Sequence, residues 1–382
     1  MIVSFLPQAL THKEDFRMLT EMLNERKLPK LLVFNDGRRV RTPDDWRIRR
    51  RELIDLFSRE EYGFTPEAPV KVTGVIEDAI PENGWKTDPS VFANKAVQQA
   101  IRLTFDTPAG PFSFPVMLAV PKGVKRPPVF VDIAFRRAIP DSYIPVEEIL
   151  DHGFALAVFC YEDITSDSAD FDKLAEMYPR DEKTGWGKIG MWAFAASRVL
   201  DYLETREDVD ASRVCVTGHS RLGKTALWCA AQDERFAMAI ANESGCSGAA
   251  LSRQSAGETI CDITGRFPFW FCGNYQAWRG RENDMPFDQH MLLALMAPRT
   301  VYVCSAQEDQ WADPRNEFLS CAAASEAWSL LRVPGLIAPD AMPELNQPLM
   351  DGGVCYHIRT GTHFHSRTDW GWHMACREKH GI

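Results

Sequence analysis

The chain has 382 residues, 45% hydrophobic and 25% charged, which is ample material for a core. Its formal net charge of −10 argues against nucleic acid or an anionic membrane as the main partner. No apolar run approaches the ~20 residues of a membrane span. The first ten residues have no basic region followed by a long apolar stretch, so no signal peptide is expected.

In chain order, residues 1–65 are polar and charge-rich and read as a helical extension packed on the core. A helix is predicted over 46–57, opened by Thr42-Pro43, with its arginines on a solvated face. Strand-like runs follow at 71–76, 100–106, 112–120, 128–133 and 154–159. A helix over 189–204 follows from the spacing of Ile189, Trp192, Ala196, Val199, Leu200 and Leu203. Next come a strand at 213–217, a helix from 221 to about 231 and a strand at 237–241. A long irregular insert then runs to 286, followed by a helix over 289–296 and strands at 300–305 and 354–359. A loop carrying His363 and a closing helix complete the chain. Strands alternating with helices predict a mostly parallel sheet covered on both faces, with sites at the carboxyl ends of its strands.

The stretch Gly218-His219-Ser220-Arg221-Leu222-Gly223-Lys224-Thr225 fits two incompatible patterns. One is a P-loop, which cradles nucleotide phosphates on backbone N–H groups. His219, Ser220, Arg221 and Leu222 are bulky for such a cradle, and 238–243 is a poor second motif for a Mg²⁺-binding aspartate. The other is a nucleophile elbow, where a sharp strand-to-helix turn lifts a serine hydroxyl above the sheet. In the usual elbow a second glycine stands two residues after the serine; here Leu222 is there and glycine follows at Gly223.

A serine needs a base, usually a histidine oriented by a carboxylate, in the chain order serine, acid, histidine. Of nine histidines, His363 lies in the loop after the last strand, where the base is expected. His365 is its nearest rival, and His357, inside the strand, reads as structural. A metal pair His363-x-His365 lacks a third ligand. Two acids follow strands, Glu243 and Asp309, and spacing does not choose between them. Glu308 and Asp313 read as turn and cap residues. The Arg221 N–H is placed to meet an oxyanion, and its guanidinium can add charge. Lys224 lies one turn from Ser220 and reads either as a solvated helix lysine or as a holder of polar substrate groups.

Ten cysteines contain no Cys-x-x-Cys pair, which disfavours a zinc–cysteine site and a dithiol redox motif. Cys160, Cys215, Cys304 and Cys355 read as small buried hydrophobes, and one or two disulfides would suit an exported protein.

These residues carry a resemblance. The elbow, with its displaced glycine and Lys224, is similar to the Gly-x-Ser-Arg-x-Gly-Lys signature of the glucuronoyl esterases, carbohydrate esterases that cleave esters of 4-O-methyl-glucuronic acid. Similarity extends through Ala226-Leu227-Trp228, Asp233-Glu234-Arg235-Phe236, Ser244-Gly245-Cys246, Gly257-Glu258-Thr259, Asp288-Gln289-His290-Met291-Leu292, Ala297-Pro298-Arg299 and Trp311-Ala312-Asp313-Pro314, and covers at least 185–375. Asp36-Gly37-Arg38-Arg39 resembles the bacterial branch.

The resemblance implies an α/β-hydrolase three-layer sandwich over 66–382, acting as a serine esterase without metal or organic cofactor. It implies Ser220 as nucleophile, His363 as base and Arg221 as oxyanion stabiliser, with Glu243 and Asp309 sharing the acid role. It places Lys224, Glu258 and Trp311 on the glucuronate. It further implies a glucuronoxylan or lignin–carbohydrate substrate and a secreted or periplasmic setting; a monomer is expected. Phe135-Arg136-Arg137, Arg253-Gln254 and His363-Phe364-His365 depart from the family pattern, which bears on substrate range.

Overall fold

The computed structural model describes residues 18–382. The readings made on residues 1–17, including that of the first ten, lie outside the described residues.

The strands, in chain order, begin with β1 (Val72–Glu77), a small hairpin of β2 (Ala79–Ile80) and β3 (Trp85–Lys86), then β4 (Asp88–Ser90), β5 (Ala96–Thr107) and β6 (Gly110–Pro121). They continue with β7 (Pro128–Ala134), β8 (Ala155–Cys160), β9 (Asp210–His219), β10 (Met238–Asn242), β11 (Thr300–Ala306) and β12 (Val354–Arg359). The central sheet has the order β1-β5-β6-β8-β7-β9-β10-β11-β12, with β4 beside β5. From β8 to β12 every pairing is parallel, and from β1 to β8 every pairing is antiparallel.

The parallel strands are continuous apolar runs because both faces of the sheet are covered. Alternate residues of one strand feed two separate cores. Val129, Val131 and Ile133 of β7 join one cluster and Phe130 the other. Ala157 and Phe159 of β8 face the first, Leu156 and Val158 the second.

The helices are α1 (Leu19–Arg26), α2 (Pro43–Phe57), the short turn α3 (Val91–Asn94), α4 (Val146–Asp151), α5 (Lys188–Leu203), α6 (Arg221–Gln232), α7 (Ile260–Arg266), α8 (Gln289–Ala294), α9 (Pro314–Ala324), α10 (Glu326–Leu330) and α11 (Arg367–His380). Residues of α2, α5, α6 and α8 build the first core, and residues of α4 and α11 the second. The result is a three-layer α/β-hydrolase sandwich. No helix among the described residues is long and apolar enough to cross a membrane.

The Thr42-Pro43 start of α2 is a capping box: Thr42 accepts from the Asp45 N–H, and Asp45 reaches back to the Thr42 N–H. Its arginines do not all face solvent. Arg47 does, but Arg49 is buried on the Leu31 carbonyl and Glu52. Arg50 pairs with Glu234 and donates to the Leu295 carbonyl, pinning the helix to the loops around α6 and α8. Phe57 and Tyr62 then pack on Phe287 and Trp228, at 5.1 and 4.6 Å between ring centroids.

Several helices were not anticipated, among them α4, α7, α9 and α10. α7 interrupts the irregular insert behind a Thr259–Asp262 capping box. α9 begins at Pro314, capped by Asp313, the duty expected of that aspartate. All ten cysteines are free thiols, nine of them buried.

The elbow between β9 and α6 rests on its glycines. A methyl group at Gly218 would stand 2.3 Å from the Leu222 carbonyl oxygen. Gly218→Ala is therefore expected to lose stability at the high end of the ~1–3 kcal/mol typical of overpacking. A thermal melt should show a midpoint lowered by several degrees, while Gly371→Ala, inside α11 with open space around it, keeps or slightly raises it, alanine being the better helix former.

Candidate active site

Ser220 sits between β9 and α6 with φ 57° and ψ −124°, a backbone region that side-chain-bearing residues rarely occupy. Its N–H donates to the Asn242 carbonyl at 2.8 Å, tying the elbow to the end of β10. Its carbonyl takes the Gly223 and Lys224 N–H groups at 2.9 and 3.2 Å and starts α6. These N–H groups are spent inside the turn, so they form no phosphate cradle, and the P-loop reading falls. The displaced glycine also has a cause. A methyl group at Gly223 would stand 3.1 Å from the Ser244 Cβ and 3.2 Å from the Asn242 oxygen, so the crowding falls here, whereas Leu222 is buried in the core.

Arg221 is the first residue of α6, so its N–H has no partner within the helix. Its guanidinium pairs with Asp167 and lies 4.7 Å from the Trp270 ring centre and 5.4 Å from that of Phe267, which stacks on Trp270, with the Phe135 ring centre 5.7 Å away. Asp167 is itself fixed by the Trp270 indole N–H at 2.7 Å. Burial lowers the pKa of Arg221, and its Nε is buried without a partner.

His363 stands beside the elbow, its ring centre 4.4 Å from that of His219, the residue before the serine. Its Nδ1 meets both acids: Asp309 Oδ2 at 2.6 Å and Glu243 Oε2 at 3.1 Å. The choice between the acids left open by spacing therefore has a geometric answer, since both converge on one nitrogen. No hydrogen bond joins Ser220 to His363, a contact that often tightens only when substrate arrives. Burial lowers the pKa of His363, but the hydrogen bonds its Nδ1–H donates to Asp309 and Glu243 outweigh it and raise it to about 9.

Glu243 is fully buried at φ 47°, and its N–H donates to the Cys304 carbonyl at 2.7 Å. Burial pushes its carboxyl up to about 7, against the His363 hydrogen bond and the nearby Arg359 charge. Oε1 accepts from Arg359 at 2.5 Å, and Oε2 accepts the Phe364 N–H at 2.8 Å. Arg359 is held on its other side by Asp369, at 2.8 Å, which also accepts from His357 at 2.9 Å. His357 is thus structural, as expected.

His365 is not the base. It is buried, stacked on Trp370 at 4.8 Å, and pushed down to about 3 by burial and by His373. His219 is buried, bonded to Asn242 at 2.7 Å, with its pKa held low by burial and by His363. Another buried acid, Glu317, accepts the Gly245 N–H at 2.8 Å and the Ser305 hydroxyl at 2.6 Å, fixing the loop after β10. Burial raises it to about 8.

Lys224 is buried rather than solvated, and its ammonium donates to the Ser244 carbonyl. Glu258 and Trp311 are brought together by the Glu258 N–H donating to the Trp311 carbonyl at 2.9 Å. Trp311 is half exposed. Of the three departures from the family pattern, Arg253 is buried on Asp288 at 3.0 Å. Arg136 and Arg137 pair with Asp141 and Asp163, and Phe135 packs edge-on to His219 at 6.1 Å. Sequence reasoning missed Arg359, Asp369, Asp167 and Glu317. An arginine closing the apolar strand at 354–359 was the one available signal.

The family model for fungal glucuronyl esterases matches residues 105–332. A carbohydrate esterase from an unknown prokaryotic organism, MZ0003, is 33% identical over 419 residues, covering 98% of this chain and 94% of that protein. A glucuronoyl esterase from Solibacter usitatus has a similar structure, with a TM-score of 0.82 at 35% identity over 92% of this chain and 97% of that one. One from Teredinibacter turnerae T7901 gives 0.83 at 28% identity, over 94% and 90%. With a serine on a strained elbow at the carboxyl edge of a three-layer sheet, these matches define a hydrolase of the carbohydrate-esterase class. The chain belongs to the glucuronoyl esterase family, carbohydrate esterase family 15, in its bacterial branch.

Two acids on one nitrogen make a specific expectation. Asp309→Asn and Glu243→Gln should each cost less in kcat than the roughly 10⁴-fold that follows loss of the only orienting acid, while the double variant approaches it. A general base must be neutral, so kcat/KM should rise with pH along a limb set by His363, near 9. Removing either carboxylate destabilises the imidazolium and should move that limb to lower pH. Limbs that coincide in all three proteins would show that these acids do not act on the base.

Proposed function

We propose that the protein hydrolyses esters of glucuronic and 4-O-methyl-glucuronic acid, with Ser220 as nucleophile and His363 as base. The observation that carries this reading is the His363 imidazole, held on Nδ1 by Asp309 and Glu243 beside the strained Ser220 elbow. Two acceptors on Nδ1 keep its proton there and leave Nε2 to take the serine proton.

Ser220 Oγ attacks the ester carbonyl carbon as its proton passes to His363. The Arg221 N–H and guanidinium meet the oxygen as it becomes negative. Collapse releases the alcohol, protonated by His363, and leaves a glucuronoyl ester on Ser220. Water, deprotonated by His363, then frees the uronic acid. The sugar hydroxyls fall to Lys224, which has donors left beyond the Ser244 carbonyl, to Glu258, and to the exposed face of Trp311.

The names of the relatives support the uronate: several are 4-O-methyl-glucuronoyl methylesterases, one from Phanerochaete carnosa being 26% identical over 81% of this chain. By the same resemblance the natural substrate is a glucuronoxylan or lignin–carbohydrate ester, and the setting is secreted or periplasmic. We read residues 1–65 as an extension of a single catalytic domain, and the protein as a monomer.

The test is hydrolysis of benzyl glucuronate, benzyl galacturonate and 4-nitrophenyl acetate by wild type and Ser220→Ala. Preference for the glucuronate, with roughly 10³-fold or greater loss in the variant, is the expected result. Activity confined to the acetate would move the substrate to another ester class. Full activity in Ser220→Ala would overturn the serine mechanism.

A further inference from the structure

Away from the elbow, three soft donors meet where the start of β12 faces the end of α11. Cys355 Sγ lies 3.5 Å from Cys376 Sγ and 3.7 Å from His380 Nε2. The three donor atoms all fall within 4.8 Å of one another. The Met350 carbonyl oxygen is 3.0 Å from the same His380 nitrogen. Zinc bound at ~2.3 Å to sulfur and ~2.0 Å to nitrogen in a tetrahedron has edges of about 3.8 Å between two sulfurs and about 3.5 Å between sulfur and nitrogen. The observed separations are close to those edges.

We propose that Cys355, Cys376 and His380, with the Met350 carbonyl or a water as fourth ligand, form a structural site for a soft divalent cation of the zinc class. Both cysteines are buried and His380 is partly exposed at the last turn of α11, so an ion enters from that end. Cys376 and His380 are four residues apart on one helix face, which lets both bind one ion. On binding, the two thiols lose their protons, and the two thiolates balance the charge of the ion. The set has no Cys-x-x-Cys spacing because strand and helix each contribute part of it, so the pattern sought in the sequence passes over it. The site stands at the opposite end of β12 from Arg359, so it braces the C-terminal helix and takes no part in the chemistry.

The test uses the full chain, stripped of metal and kept reduced. Co²⁺ should produce a thiolate-to-cobalt charge-transfer band that saturates at one equivalent. The band should be lost in Cys355→Ser and Cys376→Ser, weakened in His380→Ala and unchanged in Cys261→Ser, the exposed cysteine. Zn²⁺ at about 100 times Kd should raise the thermal midpoint by roughly 3 °C, and Mg²⁺ should not. Because a serine variant that failed to fold would also lose the band, alkylation of the wild type provides a separate readout. Protection of Cys355 and Cys376 by Zn²⁺ supports the site, and protection of neither overturns it. No band, a band that survives Cys376→Ser, or a Cys355–Cys376 disulfide in the peptide map of the unreduced protein would also overturn it.

Discussion

The site depends on a buried chain of charge: Glu243, Arg359 and Asp369, all nearly inaccessible to water. A lone buried carboxylate is costly, and removing one member of such a pair commonly costs about 3–5 kcal/mol. Here one guanidinium serves both acids. Its NH2 group spans Glu243 and the Thr362 carbonyl, at 2.5 and 3.1 Å, and also reaches the Phe364 carbonyl. The same arginine therefore orients an acid and closes the backbone loop that carries His363. Glu243 completes the clamp by taking the Phe364 N–H. His363 is held at two levels, its ring by carboxylates and its loop backbone by the partner of one of them.

Strain sits where this clamp meets the sheet. Ser220, Glu243 and Asp313 all have positive φ without being glycine, a state that typically costs about 1–3 kcal/mol per residue. Each is overdetermined by neighbours. The Ser220 N–H reaches the end of β10, the Glu243 N–H reaches β11, and Asp313 caps α9. These bonds step across adjacent parallel strands in order, β9 to β10 to β11. The parallel register thus positions Ser220, Glu243 and Asp309 along one sheet edge, and the loop after β12 adds His363. Strain at the serine is offset by the ladder beside it.

What could be read beforehand follows the same physics. Continuous apolar runs such as those of β7, β8 and β11 announce strands covered on both faces, and polar residues just beyond them announce a carboxyl edge. Ser220, Glu243, Asp309 and His363 were legible for that reason. The choice between the two acids was not, because spacing along a chain does not report convergence on one nitrogen. Lys224 shows the opposite limit. A lysine in the first turn of a helix resembles a solvated residue until the loop at Ser244 folds over it. Arg49 and Arg50 likewise read as a solvated face, since Arg50 binds Glu234 and Leu295 far along the chain and the loop at Leu31 folds back over Arg49. Arg359 and Asp369 were hidden because a buried charge can be recognised only together with its partner.

The closing helix connects these observations. Asp369 caps α11 through Ser366, holds Arg359 and accepts from His357, so one carboxylate sets both the helix start and the arginine. Any slip of α11 along its axis would drag Asp369 off Arg359 and loosen Glu243 and the His363 loop with it. At the far end of the helix, Cys376 and His380 face Cys355, four residues before Arg359 on the same strand. Helix and strand are therefore joined at both ends, by ion pairing next to the chemistry and by soft donors away from it. The soft donors at the far end add to the ties α11 already has: the Asp369 pair, the Trp370 and Met374 side chains in the core, and the Arg377 bond to the Arg213 carbonyl.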